Sequence, residues 1–505
     1  MTSATHDAPA LSARAALSLP HTHVDTIFVD GAWRPSRGTG RNPVTDPATG
    51  EVWGSVPDGT PEDVDAAVGS ARRAFVGADG GGWSRLAPSE RAAYLLRIAD
   101  EVEKRAEELS LTNSRENGSP VAESAGAAAN AAGIFRYFAT LADYLERDDV
   151  RPFPRGGGES VVRRDPLGVC ALIAPWNFPI NLVVIKLAPA LLAGCTVVIK
   201  PASPTPLSIR VIIDAVAAAG VPAGVVNLVT GSGRLGDVLV KHPGVDKVAF
   251  TGSTPVGRKI AAACGELLRP VTLELGGKSS AIVLPDADLE AMSKVLIRSS
   301  MRNTGQTCYI STRILAPASR YDEVVDMVTA TIAAGKQGDP LHPDTVFGPC
   351  ATESQYRTVL EYVDSGLAEG ARATTGGRAA SLSGGLEGGY FVEPTVFADV
   401  TPDMRISHEE IFGPVICILK YDDVDEAVAL ANNTEFGLGG LVFGQDPEAA
   451  LAVADHMDTG SVGINFFASN HAAPFGGRHD SGLGTEYGIE GLNAYLSYKS
   501  IHRRA

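Results

Sequence analysis

Three residues stand out because their types clash with their surroundings. Cys308 lies in "NTGQTCYIST", among polar residues and a glycine, whereas free cysteine usually behaves as a small buried hydrophobe. Cys170 ("GVCALIA"), Cys195 ("AGCTVVIK") and Cys417 ("PVICILK") follow that ordinary pattern. A thiol in a polar setting can serve as a nucleophile once its surroundings ionise it. Glu274 sits inside the apolar run "VTLELGGKSS", where burial raises a carboxyl towards the range useful to a general base. A structural carboxylate paired with Lys278 is the competing reading. Asn177 in "PWNFP" is either a turn residue beside proline or an amide placed to hold an oxyanion.

A fourth signal is "FTGSTPVG", a G-x-x-x-x-G turn opening a helix, with a hydroxyl at Ser253. Helix starts of this kind can hold a phosphate, but a plain helix start reads the same way. The stretch lacks the Lys-Ser/Thr tail of a P-loop and is not G-x-G-x-x-G.

The elements that would position these residues are legible as patterns. In "TPEDVDAAVGSARRAF", Thr60 is the expected N-cap and Pro61 the first helical residue. Val64, Ala67, Val68, Ala71 and Phe75 form one apolar stripe. A second helix is expected over "SERAAYLLRIADEVEKRAEEL". Next, buried-strand runs ("GVCALIAPW", "CTVVIK", "GVVNLVT", "DKVAFTG") alternate with helices ("NLVVIKLAPALLAG", "PLSIRVIIDAVAAAG", "STPVGRKIAAACG"). Such alternation implies βαβ units and a parallel sheet covered on both faces. A second α/β run begins near "SSAIVLP" and continues through "TRILAP", "YDEVVDMVTATIAAG" and "VDEAVALANN". "GESVVRRDPLG" reads as a hairpin arm off the body. The stretches "APWNFP", "IKPASPTP", "FTGSTPVG" and "LELGGKSS", with Asn177, Ser253 and Glu274, therefore fall at the carboxyl ends of parallel strands, where ligands bind in such sheets.

Composition narrows the classes. At 505 residues, two or three packed domains are expected. A net charge of −16 disfavours nucleic acid and anionic membranes as partners, since both need basic patches. Six cysteines without a CxxC pair suit a reducing, cytoplasmic setting rather than a disulfide framework. The first 20 residues lack a basic segment followed by an apolar core, so they are expected to be a loose extension and not a signal. The longest apolar candidate, "INLVVIKLAPALLAGCTVVIK", contains Lys186 and is broken by Pro189 and Gly194, which argues against a membrane span. No metal site is expected.

Together, "PWNFP", "VIKPAS", "FTGSTPVG", "LELGGKS", "GQTC", "EEIFGPV" and "PFGGRHDSGLG" occur in an order that resembles the aldehyde dehydrogenase superfamily, from about Phe28 to Ile501. Glu274 precedes Cys308 by 34 residues, the family's usual spacing. The resemblance implies an α/β fold with a Rossmann-type parallel-sheet domain (25–145 and 165–277), an α/β catalytic domain (278–483) and a small β oligomerisation arm (146–164 and 484–505), after an extension over 1–24. It implies oxidation of a small-molecule aldehyde to an acid through a thiohemiacetal and thioester on Cys308. Asn177 would lie in the oxyanion hole, and Glu274 would activate the hydrolytic water. NAD or NADP would be held by Ile173, Ala174, Pro175, Trp176, Lys200, Ser203, Gly233, Gly252, Ser253, Gly257, Leu275, Gly276, Glu410 and Phe412. The substrate pocket would be formed by Phe178, Ile185, Arg302, Thr307, Tyr309 and Phe475. These are mostly apolar and favour a medium-chain or aromatic aldehyde, while Arg302 leaves an acidic aldehyde open. A homodimer or homotetramer is implied.

Three positions depart from the resemblance. Ser203 stands where many NAD-preferring relatives carry glutamate, Arg302 where several carry an aromatic residue, and Thr485 in "GTEYG" where arginine is common. Two rivals follow from the same motifs. One is a CoA-acylating semialdehyde dehydrogenase, a group that lacks the glutamate base. The other is a non-catalytic binding protein on the same fold.

Overall fold

The computed structural model describes residues 23–504; the extension expected over residues 1–24 falls almost wholly outside them. Two sheets carry the body. In the first, strands Val169–Ile173, Thr196–Lys200, Val226–Leu228, Lys247–Thr251 and Val271–Glu274 run parallel. The third strand in sequence is outermost on one side, followed by the second, first, fourth and fifth, so the order reverses between Val169–Ile173 and Lys247–Thr251. That reversal leaves a crevice at the carboxyl ends of the strands. Antiparallel strands Thr26–Val29 and Gly482–Leu483 flank the parallel core. Gly482–Leu483, from near the C-terminus, thereby pairs with the strand that ends at Glu274.

The apolar runs explain the layering. Val169–Ile173, Thr196–Lys200 and Lys247–Thr251 are buried along their whole lengths, as strands covered on both faces must be. Helix Pro61–Val76 starts at Thr60, whose backbone N–H donates to the Asp63 carboxylate at 3.0 Å. Val64, Ala67, Val68 and Ala71 are buried against the sheet. The second sheet has six parallel strands (Ser280–Val283, Arg313–Pro317, Thr395–Ala398, Val415–Tyr421, Gly439–Phe443, Ser461–Ile464) with Arg372–Thr375 antiparallel at one edge.

The helix expected over Ser89–Leu109 is instead two, Pro88–Glu103 and Ala106–Asn117. No proline or glycine breaks the chain there. Lys104 and Arg105 both bond Glu101 at the joint. The redirected second helix brings buried Glu116 to the start of helix Leu207–Ala218, where its carboxylate accepts from the Leu207 and Ser208 N–H groups at 2.7 and 3.0 Å. The first turn of a helix leaves such N–H groups without partners.

The arm is a three-stranded antiparallel sheet. Glu159–Pro166 pairs with Asp149–Pro152 on one side and with Leu496–Arg503 on the other. Among the described residues no helix is long and apolar enough to cross a membrane, and no group of three or more His, Cys, Asp or Glu is arranged to hold a metal.

Candidate active site

Strand register assembles the crevice. Ile173 pairs with Lys200 on one side and Phe250 on the other, and Thr251 pairs with Glu274. Four strand ends therefore stand side by side. Asn177 lies in the turn after Ile173, just before helix Pro179–Ala193. Its backbone carbonyl accepts from Asn117 and Asn303 Nδ2, both at 3.0 Å, and its own Nδ2 donates to the Gln306 carbonyl at 3.0 Å. The turn holding Asn177 is thus bonded directly to the loop carrying Cys308.

That loop is shaped by close approach. Gly305 has φ +78°, and a Cβ there would lie 1.8 Å from the Gly413 carbonyl oxygen. Asn303 and Thr304 before it also have positive φ, which is uncommon for a β-branched residue. Gln306 anchors the turn, with its side chain bonded to Ala351 N, Asn303 O and Pro349 O. On the opposite side, a Cβ on Gly277 would lie 2.3 Å from the Cys308 carbonyl. The glycines of "LELGGKS" therefore let the Glu274 strand's exit touch the Cys308 loop.

Cys308 is partly buried and lines a cavity of about 400 Å³. Phe178, Ile185, Arg302, Thr307, Tyr309 and Phe475 all line it, together with Asn177, Glu123, Arg298, Glu486 and Tyr487. Burial, then the Glu410 and Glu274 charges, push the Cys308 thiol up to about 12. Glu274 is buried, and neither carboxylate oxygen has a hydrogen-bond partner. The ion pair with Lys278 does not exist: the Lys278 ammonium is itself buried without a partner. Burial and the nearby Glu486 charge raise Glu274 well above the carboxylate range, with Lys186 acting against them.

Three charged residues here escaped the sequence reading. Lys186, fully buried in an otherwise apolar helix, donates to Thr251 Oγ1 at 2.6 Å and to Glu486 Oε1 at 2.7 Å. A lone lysine in an apolar helix was the available signal, but it entered only as a charge interrupting an apolar run. Glu486 is held by a two-way backbone bridge to Phe475. Glu123 accepts from Arg302 Nε at 2.6 Å, so the Arg302 guanidinium is paired within the cavity wall. The structure gives no functional account of Thr485.

The cofactor candidates line the crevice. Helix Thr254–Glu266 begins at Ser253, which is exposed and makes no side-chain capping bond, leaving the helix start open to an anion. Gly252 N donates to the Glu274 carbonyl at 3.0 Å. Gly257 packs against Leu275, where a Cβ would lie 2.4 Å from a leucine methyl carbon. Glu410 is held up at about 7, chiefly by burial, while the Gly277 N–H bonds its Oε1 at 2.9 Å. A Cβ on Gly276 would lie 2.5 Å from Glu410 Oε2. Phe412, at φ 55°, sets its ring edge-on to Trp176. Lys200 is buried with its ammonium on the Pro201 carbonyl at 2.9 Å, and burial lowers it to about 8 against the Asp58 charge. Ser203 donates to the Gly231 carbonyl at 3.1 Å, and Gly233, at the start of helix Gly233–Lys241, is exposed with open space beside it. Ala174 and Pro175 complete the turn towards Asn177. An open helix start, a lysine and a carboxylate along one switch-point crevice fit a dinucleotide.

The aldehyde dehydrogenase family model matches residues 33–501. The chain belongs to the aldehyde dehydrogenase family. It is 47% identical over 487 residues to geranial dehydrogenase of Castellaniella defragrans, covering 96% of this chain and 99% of that one. It is 41% identical over 476 residues to 3-succinoylsemialdehyde-pyridine dehydrogenase of a Pseudomonas species, covering 94% and 98%. Aldehyde dehydrogenase C of Pseudomonas syringae, solved with NAD+ and octanal, superposes with a TM-score of 0.90 at 40% identity, covering 95% and 96%. The α/β fold and the oxidoreductase class expected from the motifs are therefore those of this chain.

Proposed function

We propose that this protein oxidises an aldehyde to a carboxylic acid with NAD or NADP, through a thioester on Cys308. The observation that carries this reading is a buried carboxylate, Glu274, left without any partner in the electrostatic reach of a thiol that lines a cavity. Burying an unpaired carboxyl costs stability, and catalysis is a reason to retain one.

Cys308 Sγ attacks the carbonyl carbon; the C–S bond forms and the carbonyl electron pair moves to oxygen. The Cys308 thiol proton leaves as the bond forms, with Glu274 the acceptor, and Glu274 passes that proton to solvent before the hydrolytic step. The second N–H of the Asn177 amide, the one not bonded to Gln306, and the Cys308 backbone N–H stabilise the oxyanion; each such donor is worth about 10²–10³ in rate. Bound in the crevice, oxidised nicotinamide supplies the hydride acceptor. On the resulting thioester, Glu274 takes a proton from water as the water oxygen attacks. The C–S bond breaks, its electron pair returns to sulfur, the proton held by Glu274 restores the thiol, and the acid leaves and ionises. In total, aldehyde, oxidised cofactor and water yield carboxylate, reduced cofactor and two protons.

Lys200, Ser203, Gly233 and Ser253, in the unit formed by 25–145 and 165–277, would hold the cofactor together with Glu410 and Phe412 from 278–483, the unit that also supplies Cys308. The arm, 146–164 and 484–505, would form a dimer or tetramer contact: Val150, Phe153, Tyr498 and Ile501 are exposed on it, and an open sheet edge with apolar side chains favours pairing. Six free cysteines support a reducing, cytoplasmic setting.

The deciding assay follows reduced nicotinamide with NAD or NADP over a panel of aldehydes, with and without CoA, and identifies the product. Acid formed without CoA supports the proposal. Dependence on CoA favours the acylating rival, and no turnover with any aldehyde favours the non-catalytic one.

A further inference from the structure

The wall of the cavity carries opposite charges that meet. Arg302 Nε donates to Glu123 Oε1 at 2.6 Å, its Nη2 donates to the same oxygen, and its Nη1 bonds the Tyr309 hydroxyl. The guanidinium also lies over the Phe178 ring, 5.0 Å from the centroid. Both side chains are mostly shielded, 24% and 28% exposed. Burial works against the Arg302 charge, but Tyr309 and Glu123 outweigh it and hold the guanidinium firmly ionised. Tyr309 in turn stacks on Phe467 and sits edge-on to Phe475, so the pair is braced by aromatic rings.

Two other charged side chains line the cavity, Glu486 and Arg298. Glu486 is bonded to Lys186. Arg298, four residues before Arg302, is exposed and screened by salt over about 8–10 Å. An aldehyde with a carboxylate would have to compete with Glu123 for Arg302, and one with an ammonium would have to compete with Arg302 for Glu123. Either exchange strands a shielded charge, the arrangement by which a site rejects a wrong ligand. An uncharged chain or ring meets only the Phe178, Ile185, Tyr309 and Phe475 surfaces.

We propose that Glu123 and Arg302 form a charge-cancelled specificity pair: together they select an uncharged apolar aldehyde, and each alone would admit an aldehyde of the opposite charge. This rests on the aldehyde-oxidising reading of the site. The pair acts on binding, so its signature lies in KM and in the ratio between substrates.

The test compares kcat/KM for three probes of similar shape: 4-methylbenzaldehyde, 4-formylbenzoate and 4-(trimethylammonio)benzaldehyde. The wild type should favour the uncharged probe over both charged ones by about 10²-fold. Glu123→Gln should raise 4-formylbenzoate relative to 4-methylbenzaldehyde by at least about tenfold, mainly through KM, with no gain for the cation. Arg302→Gln should do the reverse, and the double variant should favour neither charged probe. Glu123→Gln keeps an oxygen for Arg302 to bond, so it decides the matter even where Arg302→Gln folds poorly; thermal melting checks both. If the wild type oxidises 4-methylbenzaldehyde but Glu123→Gln leaves the acid ratio within about threefold, the specificity pair is overturned. If the wild type oxidises none of the three, the aldehyde-oxidising reading itself has failed.

Discussion

Two charged clusters border one cavity and are built on opposite plans. At the tunnel wall, Arg302 and Glu123 satisfy each other and Tyr309 adds a third bond. At the chemical end, Lys186 and Glu486 are paired, but the carboxylate beside them, Glu274, has no partner. Matched charges make a wall that sorts ligands, and the unmatched carboxyl keeps its lone pairs for a proton. The difference locates reactivity where a polar group is buried and left unsatisfied, which the interior otherwise avoids.

The sharpest way to break this comparison is at the thiol. Cys308→Ala should lower dehydrogenase turnover by at least about 10³-fold, while cofactor affinity, measured by fluorescence titration, stays near wild type. A loss below about tenfold would take the nucleophile's role from Cys308.

Next comes the unpartnered carboxyl. Glu274→Gln should cut steady-state turnover by about 10²-fold and leave a stopped-flow burst of reduced cofactor, with an acyl adduct on Cys308 seen by mass spectrometry. Normal turnover with neither burst nor adduct would make Glu274 structural.

Lys186→Met tests whether the two clusters differ as described. Removing the buried ammonium leaves Glu486 uncompensated, and breaking such a pair costs about 3–5 kcal/mol, read as a fall in melting temperature. Lys186 also opposes the upward shift of Glu274, and the working base is the deprotonated form. The midpoint of the rise in kcat with pH should therefore move to higher pH. An unmoved midpoint would separate Lys186 from Glu274.

The smallest effect concerns the cofactor end. Ser203→Glu places a carboxylate near Lys200 and should shift kcat/KM from NADP towards NAD by about tenfold, or 1.4 kcal/mol. In the wild type, Lys200 at about 8 is charged below that pH and neutral above it. The kcat/KM ratio of NADP to NAD should therefore fall between pH 7 and 9. A flat profile together with an unchanged Ser203→Glu ratio would place both residues away from the 2′-position.

Local pattern determined much of this protein before any coordinates. Short, fully apolar runs such as Val169–Ile173, alternating with longer helical patterns, read as strands covered on both faces. Thr60 and Pro61 mark a helix start by their own stereochemistry, and Cys308 and Glu274 announce themselves by sitting in unsuitable company. Signals of this kind lie within a few residues of chain. The tertiary structure decided what depends on distant partners. The helix expected through Lys104 is two, and Glu116 on the second caps the helix that starts at Leu207. Arg302 reads as a free cation until Glu123, 179 residues distant in sequence, cancels it. Lys278 and Glu274, four residues apart, look like a pair, yet they remain buried and separately unpartnered. Residue type and spacing fix which charges exist, but Coulomb's law acts through space and local dielectric, so only the folded chain decides which of those charges meet.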